Sequence, residues 1–302
     1  MNTNEARRLE SVEGEAAPKS CVVCGTPTVL DSKQQADWCP ACHFYYMLPS
    51  DLREKIQHDD AVVMSDFKAA IQGIRERNFR KILDSLATIR PLNEMNCLDV
   101  GCAYSHFLSL LKPMAKSVVG IEPNEQMLQE AKVNGVPVIR GFFPEDLPQG
   151  KQYDLISFND VLEHLPDPKA ALEASFRNLA PGGLLLVSIP SSDGAVFKLS
   201  GFLAAMNIKT LNDRIWQRQF YTPHISYFNR NNLSNLGIAC GFKPVVTQSL
   251  PVIERKSLYQ RISVDTSLSP LRKVVLYLCG TAYAASSTVM PEEYFYTIFR
   301  KG

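Results

Sequence analysis

The sequence predicts an α/β fold: a seven-stranded, mostly parallel sheet with helices on both faces, preceded by a small ribbon closed on cysteines. Three observations predict it. Short apolar runs alternate with helical segments from residue 96 to 249, the rhythm of a parallel sheet with right-handed crossovers. A last run, Glu292–Arg300, sets Tyr294, Tyr296 and Ile298 against Phe295, Thr297 and Phe299, as a closing antiparallel strand does. Ahead of both stand two matched pairs, Cys21-Val-Val-Cys24 and Cys39-Pro-Ala-Cys42.

Taken in order, residues 1–18 are polar and acidic and read as a disordered tail with no signal peptide. Residues 19–60 form the ribbon. Four thiolates can close a tetrahedral site around Zn²⁺, and such a site holds together a segment too short for its own core. Gly25 and Pro40 supply turn residues beside the sulfurs. A closed four-cysteine site leaves no open position for chemistry, so the reaction lies in residues 61–302. There Phe67, Ile71, Ile74, Phe79, Ile82, Leu83 and Leu86 recur at helical spacing up to Pro91. Strands follow at Asn96–Val100, Ser117–Ile121, Pro137–Arg140, Tyr153–Phe158, Leu184–Ile189 and Lys243–Ser249, with helices at Ser105–Leu111, Asn124–Val133, Pro168–Leu179 and Arg230–Cys240 between them. Two insertions interrupt the rhythm, at about 192–228, where aromatic and basic residues mix without a period as in a lid or substrate-binding insertion, and at about 252–290.

Composition narrows the function. The net charge is +1, and the first sixty residues carry ten acids against six bases, a poor phosphate binder. A ribbon that grips RNA, and nucleic-acid partners generally, are therefore disfavoured. Cys97, Cys102, Cys240 and Cys279 sit in apolar runs and read as reduced core residues of a cytoplasmic protein. Val274–Met290 is apolar but interrupted by Gly280, Thr281, Ser286, Ser287 and Thr288, too short and polar for a membrane span. It reads as a buried or surface-lying helix, with weak membrane contact as the alternative.

The chemistry concentrates at strand ends. Cys97-Leu-Asp-Val-Gly101-Cys-Ala-Tyr-Ser105 runs from a strand through a tight turn into a helix, a geometry that aims backbone N–H groups at a ligand. Ala103 and Ser105 stand where further glycines are usual. Glu122 ends the next strand, 21 residues beyond Gly101, where a carboxylate can accept from both ribose hydroxyls of an adenosine ligand. Asn159, Asp160, Glu163 and His164 end the strand that begins at Tyr153, and Leu179-Ala-Pro-Gly-Gly183 stops a helix before a buried strand. No Gly-x-Gly-x-x-Gly and no hydride-transfer constellation is present, so a nicotinamide oxidoreductase is excluded.

In this order the motifs resemble the class I S-adenosylmethionine-dependent methyltransferases, from about Arg80 to Phe242, in the branch that carries an N-terminal zinc ribbon and acts on sugars, polysaccharide precursors or secondary metabolites. The resemblance implies a Rossmann-like sheet and S-adenosylmethionine as cofactor, besides structural Zn²⁺ at Cys21, Cys24, Cys39 and Cys42. It implies that Asp99, Gly101 and Ala103 line the methionine part, that Glu122 holds the ribose, and that Glu145 and Asp146 lie near adenine. Phe143 packs on the adenine ring or belongs to the core. Asn159 and Asp160 face the methyl-transfer crevice. The implied reaction is methyl transfer to a small-molecule or glycan acceptor, with O- or N-methylation favoured because no large C-terminal catalytic domain follows Phe242. Alternatives are an RNA methyltransferase with a ribbon reader, and a non-catalytic cofactor-binding protein of the same fold.

A hydroxyl acceptor must lose a proton, and histidine is the natural base near neutral pH. His164, which follows the fourth strand, and His224, in Tyr221-Thr-Pro-His-Ile-Ser-Tyr-Phe228 of the first insertion, are the catalytic candidates, each set against a structural hydrogen-bonded role. Trp216, Phe220 and Tyr221 either stack on an acceptor ring or pack the insertion.

Overall fold

The computed structural model describes residues 20–47, 64–218, 222–252, 258–259, 262–263, 269–286 and 292–302. The expected tail, the end of the ribbon, Phe220, Tyr221 and parts of the second insertion lie outside the described residues.

Alternation dictates the sheet. Strands β4 (Asn96–Val100), β5 (Ser117–Glu122), β6 (Val138–Arg140), β7 (Tyr153–Asn159), β8 (Leu179–Pro190), β10 (Phe242–Ser249) and β11 (Tyr294–Lys301) stand in the order β10-β11-β8-β7-β4-β5-β6. The pairs β4–β5, β4–β7, β5–β6 and β7–β8 are parallel, and β11 runs antiparallel to both neighbours. Consecutive side chains leave a strand on opposite faces, so both faces need apolar residues when both are covered. Leu98, Ile156, Phe158, Leu185, Val187 and Phe299 build one core; Cys97, Leu155, Leu184, Leu186, Tyr296 and Ile298 build the other. The second core is closed by α1 (Met64–Ile89) through Phe79, Ile82, Leu83 and Leu86, and by α2 (His106–Leu111) through Phe107, Leu108 and Leu111. The first takes Ala171 and Leu172 of α4 (Pro168–Asn178) and Leu233 and Leu236 of α7 (Arg230–Ala239).

Local chemistry sets the helix starts. Asn124 caps α3 (Glu125–Val133) by accepting from the Gln126 and Met127 amides, Asp167 caps α4 with Pro168 at its first position, and Asn229 and Asn232 form a reciprocal capping box on α7. Strand β8 begins at Leu179, earlier than its apolar run predicts. Tyr153 pairs with Leu179 and Leu155 with Leu184, and the extra residues bulge around Gly182, whose φ is +71°.

The first insertion has regular structure of its own. It holds α5 (Ala195–Ala205), α6 (Thr210–Ile215) and a two-residue strand, β9 (Ser226–Tyr227). That strand completes the ribbon sheet, β1 (Val29–Asp31), β2 (Ala36–Trp38), β3 (Tyr45–Tyr46) and β9, all antiparallel. Buried Gln34 locks the joint. Its amide donates to the Phe197 carbonyl at 3.0 Å and accepts from Asn212 Nδ2 at 2.7 Å and Trp216 Nε1 at 3.1 Å. Trp216 is fully buried between Phe197 and Tyr227, so packing, not acceptor stacking, accounts for it. Cys21, Cys39 and Phe44 share a core with the main sheet.

In the second insertion α8 (Pro270–Ser286) lies on the surface with Leu271, Val274, Val275, Leu276 and Leu278 exposed. No helix among the described residues is long and apolar enough to cross a membrane.

Candidate active site

Parallel strands end together, and the crevice beyond their carboxyl ends is where such sheets bind ligands. Here β4, β5, β6 and β7 bring the candidate residues to one rim. The turn after β4 is wound tightly: Gly101, Ala103 and Ser105 all have positive φ, at 61°, 46° and 58°. The usual glycine conformation is thus kept without the glycines, at a cost of about 1–3 kcal/mol for each non-glycine residue. Only glycine fits at 101, since a Cβ there would stand 2.8 Å from a Val161 methyl.

Glu122 closes the turn from the side. One carboxylate oxygen accepts the Ala103 amide at 3.0 Å, the other the Asn124 amide at 2.9 Å. Burial raises its pKa, and those two amides oppose the rise. Asp99, at the end of β4, is fully enclosed. Ser157 donates to its Oδ1 at 2.7 Å and Asn159 Nδ2 at 2.9 Å, yet burial pushes its carboxyl up to about 7, with the nearby Glu122 charge adding to the rise. Asn159 is itself fixed by the Ser188 hydroxyl, which donates to its Oδ1 at 3.1 Å.

The loop after β6 begins beside Glu122, whose carbonyl accepts the Gly141 amide. Glu145 is exposed on it. Asp146 turns back to accept the Phe142 amide at 2.8 Å and so closes its own loop. Phe143 packs edge-on against Phe158, centroids 5.6 Å apart, as a core residue.

Asp160 follows β7 with φ +57°. Its carboxylate is held by the Arg75 guanidinium and the Tyr294 hydroxyl. Asp160 raises the pKa of Arg75, while Tyr294 is driven well above its ordinary value, chiefly by burial. These three, with Ser188, Phe79 and Leu250, line a cavity of about 180 Å³ between α1 and the sheet. Arg75 and Tyr294 were not legible as site residues, because they come from the first helix and the last strand and only the fold joins them.

One turn further, Glu163, His164 and His224 gather so that one donor atom from each lies within 4.8 Å of the others. Glu163 is 1% exposed, and neither carboxylate oxygen has a hydrogen-bond partner. Burial drives its pKa well up, Asp160 adds to this, and its own amide and Arg75 oppose it. His164 Nδ1 lies 2.9 Å from the Pro223 carbonyl, and His224 Nδ1 lies 2.9 Å from the Tyr227 hydroxyl, which donates to the Ile215 carbonyl. Burial lowers both imidazole pKa values, so both rings are neutral near pH 7. The two candidate histidines therefore form one cluster. Glu163 was read in the sequence only as part of the strand-end motif and given no role, and the Glu163-His164 dipeptide was its signal.

In the ribbon Cys21 and Cys42 sulfurs lie 3.5 Å apart, as do those of Cys24 and Cys39, and none forms a disulfide. Four Zn–S bonds of about 2.3 Å at tetrahedral angles set sulfurs roughly 3.8 Å apart, so this donor set fits zinc with little movement.

Comparison with known proteins places the chain. A family model described as a methyltransferase domain matches residues 71–248. The ubiquinone biosynthesis O-methyltransferase of Rhizobium etli is 31% identical over 105 residues, 33% of this chain and 42% of that protein. Its counterpart in Xylella fastidiosa is 31% identical over 128 residues, 39% of this chain and 51% of its own length. The chain thus spans about half or less of the length of these two curated relatives. Among solved structures, a SAM-dependent methyltransferase from Thermotoga maritima covers 83% of this chain and 100% of its own, with TM-score 0.54 at 17% identity. Magnesium protoporphyrin IX methyltransferase from Synechocystis, solved with bound SAH, covers 83% and 94%, with TM-score 0.53 at 12% identity. At such identities these two share the fold.

Proposed function

The chain belongs to the methyltransferase-domain family, and from that premise we propose that it transfers a methyl group from S-adenosylmethionine to an oxygen of a small-molecule acceptor. One observation carries the reading: two buried carboxylates, Asp99 and Glu122, flank a left-handed turn at the ends of adjacent parallel strands. In this reading Asp99, Gly101 and Ala103 hold the methionine end. Asp99 lacks a cationic partner among its hydrogen bonds, and a positively charged ligand group is what its ionised form requires. Glu122 takes the ribose, with its two amide bonds fixing the carboxylate beforehand. Glu145 and Asp146 stand at the adenine end, the latter through the loop it closes, while Asn159 and Asp160 face the transfer side.

Bound there, the cofactor supplies a methyl group already activated on a sulfonium. The chain's work is then alignment and exclusion of water. The Arg75–Asp160–Tyr294 group fixes the acceptor side as a small, partly apolar cavity. Release of the acceptor's proton falls to the His164–His224 cluster, whose rings are neutral.

The cysteines hold structural Zn²⁺ in this reading, and the ribbon positions the site. Strand β3 pairs with β9, the Met47 amide donates to the Ile225 carbonyl at 2.7 Å, and the Ile225 amide donates to the Glu163 carbonyl at 2.7 Å. Zinc, ribbon and His224 are thus mechanically one unit. The names of the curated relatives support an oxygen acceptor.

The test is transfer of a tritiated methyl group from S-adenosylmethionine into a fractionated extract of the native cell. Label in small molecules or glycans supports the reading and separates the two. Label in RNA or protein alone overturns it.

A further inference from the structure

We propose that Glu163, His164 and His224 form a second metal site, an open one, that takes a divalent first-row cation such as Zn²⁺ or Mn²⁺ beside the acceptor cavity.

The donors are already prepared for it. A carbonyl only accepts hydrogen bonds, so His164 Nδ1 carries the proton toward Pro223. The Tyr227 hydroxyl spends its hydrogen on the Ile215 carbonyl, so His224 Nδ1 must donate to Tyr227. With Nδ1 donating in each ring, the nitrogen left to bind a cation is Nε2. Locking of a ligand imidazole by a hydrogen bond from its other nitrogen is the usual outer-shell arrangement of metal-binding histidines. The two rings meet at 4.8 Å between centroids.

Glu163 is the independent observation. Its carboxylate is buried, and both oxygens lack hydrogen-bond partners. Buried carboxylates are paired or coordinate metals, and no cationic side chain forms an ion pair with this one among the described residues. Donor atoms within 4.8 Å need only draw in to roughly 3.0–3.4 Å to share bonds of about 2.1 Å to one ion. Two imidazoles and one carboxylate favour a first-row cation over Mg²⁺ or Ca²⁺.

Three protein ligands leave coordination positions open, unlike the four-cysteine ribbon. The turn Leu162–His164 begins two residues after Asp160, which lines the acceptor cavity. The ligand class for the open position is therefore an acceptor hydroxyl, which the cation would orient and make more acidic, so that its proton leaves to water; with both Nε2 lone pairs on the ion, the cation replaces the histidine rings in the base role given to them under Proposed function. That last step rests on the reading under Proposed function; the metal site itself does not.

The test titrates the chelator-stripped full chain with Co²⁺. Two equivalents should bind. One gives the thiolate-to-cobalt charge-transfer band of the ribbon, and the other only weak bands from nitrogen and oxygen ligands. Glu163→Gln and His164→Ala should each weaken the second equivalent at least about a hundredfold while the ribbon band is unchanged, which also reports that the variant is folded. Tyr227→Phe should weaken it by about 10–100-fold, as loss of an outer-shell partner does. Saturation at one thiolate-bound equivalent overturns the proposal, as does a second equivalent that survives both substitutions. S-adenosylhomocysteine affinity, measured on the same preparations, separates the two readings. Cofactor binding without a second metal refutes only this site; a second metal without cofactor binding refutes only the proposed reaction.

Discussion

Replacing Glu122 by Gln changes one atom and tests the cofactor reading at its centre. In the structure each carboxylate oxygen accepts one backbone amide, from Ala103 and from Asn124. A glutamine can offer one oxygen to one of them. Its –NH₂ group then meets the other amide donor to donor, and one buried N–H loses its partner. An orphaned buried donor costs about 1–3 kcal/mol. A domain of this size loses roughly 2–4 °C of melting temperature per kcal/mol, so a fall of about 4–8 °C is the central expectation. Relief of the desolvated charge, seen in the raised pKa of Glu122, works in the opposite direction and keeps the loss below a simple sum of two bonds. Binding separates the two roles. Loss of a charge-assisted contact to ribose should weaken S-adenosylhomocysteine by more than about 1.4 kcal/mol, at least tenfold, by titration calorimetry. A variant that loses stability yet binds with unchanged affinity would refute the ribose assignment and leave Glu122 as a clasp on the turn.

Two further outcomes follow from the same geometry. Cys39→Ser should release zinc, measured by atomic emission, and lower the melting temperature. Because β3 carries β9, it should also reduce methyl transfer more than cofactor binding; full metal retention would rule out the four-cysteine site. Asp99 should make the ligand-free protein less stable as pH rises. Its folded pKa of about 7 lies above the ordinary 3.8, so between these values the folded state keeps a proton that the unfolded state has released. Stability is therefore lost from about pH 4 to pH 7, on the order of 3–4 kcal/mol by linkage. Asp99→Asn keeps one oxygen for Ser157 and Asn159 and should flatten that slope in denaturant titrations; an unchanged slope would show that Asp99 is not its source.

Much of the fold was legible because its signals are local. The strands Asn96–Val100 and Ser117–Glu122 and the helices after them follow from runs of five to nine residues with clear periods, the second helix also from its Asn124 cap, and the expected bounds agree within a residue. The antiparallel last strand was legible from alternation alone. The first insertion was not. Residues 195–215 form helices whose apolar side chains pack against a ribbon more than 150 positions earlier, so their period reflects a partner that no local window contains. The start of β8 was missed for a related reason, since a glycine bulge supported by pairing to β7 overrides the local helix-stop signal.

The sequence by itself determined the parallel sheet, the four-cysteine ribbon, and the carboxylates that end strands β4 and β5, since periodicity and spacing are properties of short segments. Only the tertiary structure decided what those residues meet. It turned Ala103 and Ser105 into glycine-like conformations, brought Arg75 and Tyr294 from opposite ends of the chain onto Asp160, and buried Trp216 in the joint between ribbon and insertion. It also set an unpartnered Glu163 against two histidines sixty positions apart. These are contacts between distant segments, and their energies depend on burial and on partners that exist only once the chain has closed around them.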